Sequence, residues 1–211
     1  ASAAGVLIGA VLLWDLLFRS QIGFSMCFLE EMWSRNLGHL FVSPLRPHEF
    51  IISMMVVSCL RGFFGLLPSW ILAFVFFEFS ILSYGLGIVA FFSCLMVMGW
   101  ALGMIVIALV LRFGLGAESL AWVAIFAFAP ISAVYYPVET LPAWLQIVAW
   151  CTPSAYVFEG MRSVLIDDIF RYDLLVGAIL ANVVYLFAGI FVFSFSFLGA
   201  RKQGKLLQTG E

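Results

Sequence analysis

Long apolar runs broken by short polar clusters set the pattern of the chain. Crossing a bilayer as a helix takes about 20 mainly apolar residues. Five stretches predict such spans: 3–18, 50–77, 84–111, 120–136 and 174–198. A sixth apolar stretch, 141–165, contains Pro142 and Pro153 and carries Glu159 and Arg162. Those interruptions predict short helices lying at, or dipping into, one membrane face.

Between the first two spans the period changes. Leu29, Trp33, Leu37 and Leu40 recur at helical spacing, while Glu30, Glu31, Ser34, Arg35 and His39 fall on other faces, with Glu31 and Arg35 at i,i+4. Ser43-Pro44 and Arg46-Pro47 then end the helix. The prediction is an amphipathic helix held by prolines between two spans. Such a helix can rest on the lipid surface or dock a partner. Its polar face is acidic as well as basic, which favours a partner.

Composition narrows the class. The 211 residues are 64% hydrophobic and 10% charged, and mean hydropathy is +1.14, against about 45–50% apolar and 25% charged in soluble domains. A soluble enzyme, a nucleic-acid binder and a disordered chain are excluded, and a net charge of −2 gives no basic field. The fold expected is an all-α polytopic membrane protein, a single transmembrane domain over 1–211. Cys27, Cys59, Cys94 and Cys151 stand singly, without zinc or disulfide spacing.

Orientation follows from Lys and Arg. If the segments after the first and third spans and the tail face the cytoplasm, that side holds Arg19, Arg35, Arg46, Arg112, Arg201, Lys202 and Lys205. The other side holds Arg162 and Arg171 among Glu78, Glu139, Glu159, Asp167, Asp168 and Asp173. Seven against two predicts a cytoplasmic C-terminal tail (199–211). It also places the N-terminus outside, so six spans are expected in the intact subunit, with one upstream of residue 1. Gly5/Gly9 and Gly99/Gly103 form G-x-x-x-G pairs suited to close helix packing, within the chain or between chains.

Candidate chemistry is sparse. Arg61 lies about eleven residues into the second span, where a charge faces protein or water; an ion pair, a snorkelling contact and a pathway role all fit it. Asp15 is expected near the cytoplasmic end of the first span. The stretch 129–165 carries Pro130, Pro137, Pro142 and Pro153 with Tyr135, Tyr136, Trp144, Trp150 and Tyr156. It reads either as an interfacial aromatic belt or as a helical hairpin closing the outer end of a path. His39 and His48 belong to no metalloprotease pattern, and there is no nucleophile elbow. Residues 199–206, GARKQGKL, end in Leu where a phosphate loop needs Ser or Thr, and follow a membrane helix where that loop follows a strand.

Two runs carry a resemblance. Leu40, Ser43, Pro44, Leu45, Pro47 and Glu49 form one; Pro137, Leu141, Pro142, Trp144, Pro153 and Tyr156 form the other. Together with the spans, they make the chain resemble the membrane subunit of an ATP-binding-cassette exporter of the ABC-2 type, from the family's second span to the C-terminus. The family's amphipathic elbow helix and first span have no counterpart in the sequence.

The resemblance implies a permease in the bacterial inner membrane that pairs with a second permease and docks a cytoplasmic ATPase. ATP and Mg belong on that partner; the chain itself binds no cofactor or metal and is not an enzyme. It further implies that 28–40, within the cytoplasmic segment 24–49, is the coupling helix. Glu30, Glu31, Trp33 and Arg35 would be contacts, with Pro44 and Pro47 as anchors. The extracytoplasmic hairpin 137–168 would be the outer gate, through Pro137, Pro142, Trp144, Pro153 and Tyr156. Phe- and Met-rich span faces suit an apolar or amphipathic cargo such as a drug, a lipid or a lipid-linked glycan, and suit lipid contact equally. The alternative is a membrane scaffold or channel subunit without ATP coupling.

Overall fold

The computed structural model describes residues 3–42, 44, 46–77 and 86–202. All regular structure among them is helical: α1 (Ala3–Trp33), α2 (Leu37–Val42), α3 (Pro47–Phe77), α4 (Leu86–Phe113), α5 (Leu120–Phe128), α6 (Ala143–Trp150), α7 (Pro153–Asp167) and α8 (Tyr172–Lys202). Short 3-10 turns cover Leu115–Ala117 and Val138–Thr140.

Four of these helices are long and apolar enough to cross a membrane: α1, α3, α4 and α8. Three match predicted spans closely. The first does not stop at residue 18 but runs to Trp33, because 24–33 supplies another buried apolar stripe: Phe24, Phe28 and Leu29 are almost wholly enclosed. The predicted fourth span, 120–136, is instead the nine-residue α5 followed by turns. At 1.5 Å per residue α5 extends about 14 Å, less than half a bilayer core. Pro130 and the left-handed backbone of Ala133 (φ 51°) follow where a spanning helix would have continued.

Packing registers give the directions. Ser20 donates to the Met96 carbonyl (2.8 Å), and farther along both helices Phe24 packs at Gly103, so α1 and α4 run parallel. Asn182 donates to the Cys94 carbonyl (3.0 Å), and Gly189 lies against Ala101, so α8 is parallel to α4 as well. α3 is antiparallel to α1: Ser58 meets Gly23, Gly65 meets Arg19 and Ser69 meets Asp15. The central member is α4, whose Phe91, Leu95, Met98, Ala101 and Met104 have no exposed surface.

Glycine makes the closest of these approaches possible. A Cβ on Gly99 would lie 2.6 Å from Ser20 Cβ and 2.9 Å from the Gln21 backbone nitrogen. The Gly99/Gly103 pair is therefore an intrachain seam between α1 and α4.

Candidate functional site

Polar chemistry gathers at the tip joining α1 to α3, on a charged face of α1 and in the segment from α5 to α7, besides the exposed Arg171–Asp173 pair at the start of α8.

At the tip, the predicted continuous helix over 28–40 is broken. Arg35 takes a left-handed conformation (φ 56°). The Asn36 N–H reaches the Glu31 carbonyl (3.0 Å) and the Arg35 N–H the Met32 carbonyl (3.1 Å), a Schellman closure of α1. Leu29 and Trp33 therefore belong to a long membrane helix and Leu37 to the short α2. The expected coupling contacts disperse accordingly. Glu30 holds Arg61 through two bonds of 2.9 and 2.7 Å. Glu31 accepts from the Asn36 side chain (2.7 Å), and the Trp33 indole donates to Glu118 ahead of α5 (3.2 Å). Arg35 and Pro44 are exposed, and Pro47 opens α3. Ser43, Leu45, Glu78, Tyr84 and the tail beyond Lys202 lie outside the described residues.

The second place appears because α1 is longer than expected. Asp15 and Arg19 do not sit at a cytoplasmic border. Arg19 is the middle residue of the 29-residue span from Gly5 to Trp33, which takes it out of the cytoplasmic count and leaves that bias at six against two. Its Nε donates to Asp15 Oδ2 at 2.9 Å, with the Arg19 side chain 38% and Asp15 24% exposed. Ser69 of α3 approaches the same carboxylate oxygen (3.4 Å).

Farther along the α1–α3 seam comes Arg61 with Glu30, both nearly half exposed. Helical side chains lean toward their own N-termini, so in this antiparallel pair the two lean toward each other and bridge residues well apart along the axes. A charge at the centre of a bilayer span costs about 2.5–3.5 kcal/mol on insertion scales. A face with one partly exposed ion pair near mid-span and a second reaching from the middle of α3 to the end of α1 does not suit hydrocarbon; protein or water suits it.

That face has walls. α3 flanks it on one side, and on the other Phe18 packs on Trp122 (5.8 Å between centroids) and Phe126 (6.1 Å) of α5. Between them Leu7 and Val11 are exposed and Ile22 and Met26 half-buried.

The third place is built around Glu159 and Arg162, one turn apart on α7. The Arg162 guanidinium donates to Glu159 (2.9 Å), to the Ala133 carbonyl (2.9 Å) and to the Val134 carbonyl (3.4 Å). Glu159 in turn accepts from the Val138 N–H at 2.7 Å. One ion pair thus satisfies the backbone left open where α5 ends. The first turn of α7 is buried, with Pro153 at its start and Ser154 Oγ within 2.9 Å of Ser132 Oγ.

Among the expected gate residues, Pro153 is buried, and Tyr156 lies edge-on to Trp150 (5.0 Å) and packs at Gly177. Pro137, Pro142 and Trp144 are exposed. Glu159 and Arg162 were legible only as charges unsuited to a span; their i,i+3 spacing was the available signal of a pair.

The family model for the ABC-2 type transporter matches residues 4–166. The chain belongs to the ABC-2 type transporter family. This membrane component of an ABC-type transporter is thus an integral membrane protein, and the match runs from the second residue of α1 to the last but one of α7. Comparison with curated proteins gives no match.

Proposed function

We propose that the chain is the permease subunit of an ATP-driven exporter in the bacterial inner membrane, with its C-terminus cytoplasmic. In this reading it pairs with a second permease and is driven by a separate ATPase that carries the ATP and Mg; the chain supplies no catalytic group or cofactor of its own. The observation that carries the reading is the charged, partly exposed α1 face between α3 and α5, in a chain of this family. A second permease facing it would enclose a path with mixed polar and apolar walls, suited to an amphipathic cargo.

Coupling is assigned to the tip, with a change of residues. Glu30 and Trp33 are engaged inside the chain, so the ATPase contact falls on the exposed Ser34, Arg35, His39 and Arg46. Force on that tip passes into α1 and α3 together, because Glu30–Arg61 ties them. The segment 137–168 is assigned to the outer end, as a gate whose base is the Glu159–Arg162 lock.

The experiment is gentle purification from native membranes, with copurifying proteins identified and ATP hydrolysis assayed. The expected result is a stoichiometric ATPase with wild-type protein and its loss with Arg35→Glu at unchanged expression. Recovery of the chain alone, without hydrolysis under several mild detergents, would replace this reading with the scaffold or channel.

A further inference from the structure

We infer that Arg19 anchors the headgroup of an anionic amphiphile, its two terminal nitrogens gripping two oxygens of a phosphate on the open face of α1. The inference rests on the reading of that face as a path wall, and it names the class of cargo the wall would hold.

Arg19, Arg61 and Arg162 each pair with a carboxylate, and their donors are used differently. Arg61 gives both terminal nitrogens to Glu30. Arg162 gives its own to Glu159 and two carbonyls. Arg19 gives only Nε, to Asp15; its Nη1 and Nη2 have no hydrogen-bond partner among the described residues, on a side chain 38% exposed. The remaining Nη1–Nη2 edge is a planar fork, the geometry that matches paired oxygens of phosphate or carboxylate.

Room for the fork is built in. A Cβ on Gly65 of α3 would lie 2.6 Å from Arg19 Nη1, so only glycine leaves the guanidinium where it is. The surroundings decide what kind of molecule presents the anion. Leu7, Val11, Ile22 and Met26 line the same face above and below, so a bound phosphate must come with apolar chains alongside. Asp15 fixes the guanidinium and offsets part of its charge, which suits a site that must release what it binds.

The test is a binding titration of the full chain, purified in neutral detergent, by native mass spectrometry. The probes are phosphatidic acid, diacylglycerol with the same chains, and inorganic phosphate as competitor. Charge-assisted hydrogen bonds to the fork predict phosphatidic acid favoured by about tenfold or more. Arg19→Gln should abolish that preference, Arg19→Lys should keep part of it, and Gly65→Ala should weaken it by displacing Nη1.

No preference in the wild type, or an unchanged one in Arg19→Gln, overturns the inference. Competition by inorganic phosphate as effective as by phosphatidic acid overturns the amphiphile as the source. If Arg19→Gln does not fold, Gly65→Ala decides, and an unchanged preference there is a refutation. No ATPase enters the assay, so failure here is distinguishable from failure of the coupled-permease reading.

Discussion

Arg162 and Arg19 each sit within reach of a carboxylate, yet their surroundings make them opposites. Arg162 is 8% exposed and every contact it makes closes a gap in the fold. Arg19 stands halfway along a membrane helix, holds one carboxylate with one nitrogen, and leaves its two terminal nitrogens without a hydrogen-bond partner among the described residues. A buried pair with all its groups satisfied is a structural fastener; an uncovered one is costly to keep unless something polar visits it. The segment from α5 to α7 is held by the first kind and the α1 face displays the second.

The largest expected effect is on the fastener. Arg162→Met leaves the half-buried Glu159 without its partner and two carbonyls without a donor, and should cost up to about 3–5 kcal/mol. Thermal unfolding in detergent measures it. Replacing both partners, Glu159→Leu with Arg162→Met, should recover part of the loss.

Next come the seams. Gly99→Val drives a side chain into Ser20 and the α1 backbone and should cost about 1–3 kcal/mol. Gly199→Ala, with nothing within 4 Å of its Cβ, should leave stability unchanged or slightly raised. Equal losses at the two glycines would contradict the close α1–α4 approach.

Smaller still is Arg19→Gln, where a partly exposed pair is removed and the loss should stay within about 1 kcal/mol. A collapse as large as that of Arg162→Met would make Arg19 another fastener and end the contrast. Smallest is Asn182→Leu, which removes one bond to the Cys94 carbonyl between α4 and α8 and should cost about 0.6 kcal/mol.

Much of this was legible from hydropathy alone. α3, α4 and α8 are long, mainly apolar runs most of whose ends coincide with charges or prolines, so their spans emerge within a few residues of those predicted. Two errors have different origins. Polar residues in the 19–36 stretch suggested that the membrane ended at residue 18, but Ser20, Gln21 and Ser25 are wholly buried inside the bundle, with Ser20 bonded to α4. Side chains that bond within a bundle do not end a helix, and hydropathy cannot tell them from those that meet water. The second error, at 120–136, arose because an apolar run was long enough to span while Pro130 and Ala133 turned it back.

The site was harder. Glu30, Glu31, Trp33 and Arg35 stood out as a polar cluster, but their partners are distant in sequence: Arg61 for Glu30 and Glu118 for Trp33. Arg61 was visible as an unusual charge, while the seam that pairs it was not. Gly65 carried no signal at all until Arg19 was placed against it.

The most direct test of the polar α1 face is labelling by a water-soluble, membrane-impermeant methanethiosulfonate in a background lacking Cys27, Cys59, Cys94 and Cys151. Single cysteines would stand at Val11, Ile22 and Met26 on α1, and at Val184, Phe187 and Phe191 on the exposed face of α8. The account predicts labelling along α1 and protection along α8. Protection at all six would place the α1 face against lipid or packed protein and contradict its role as the wall of a path.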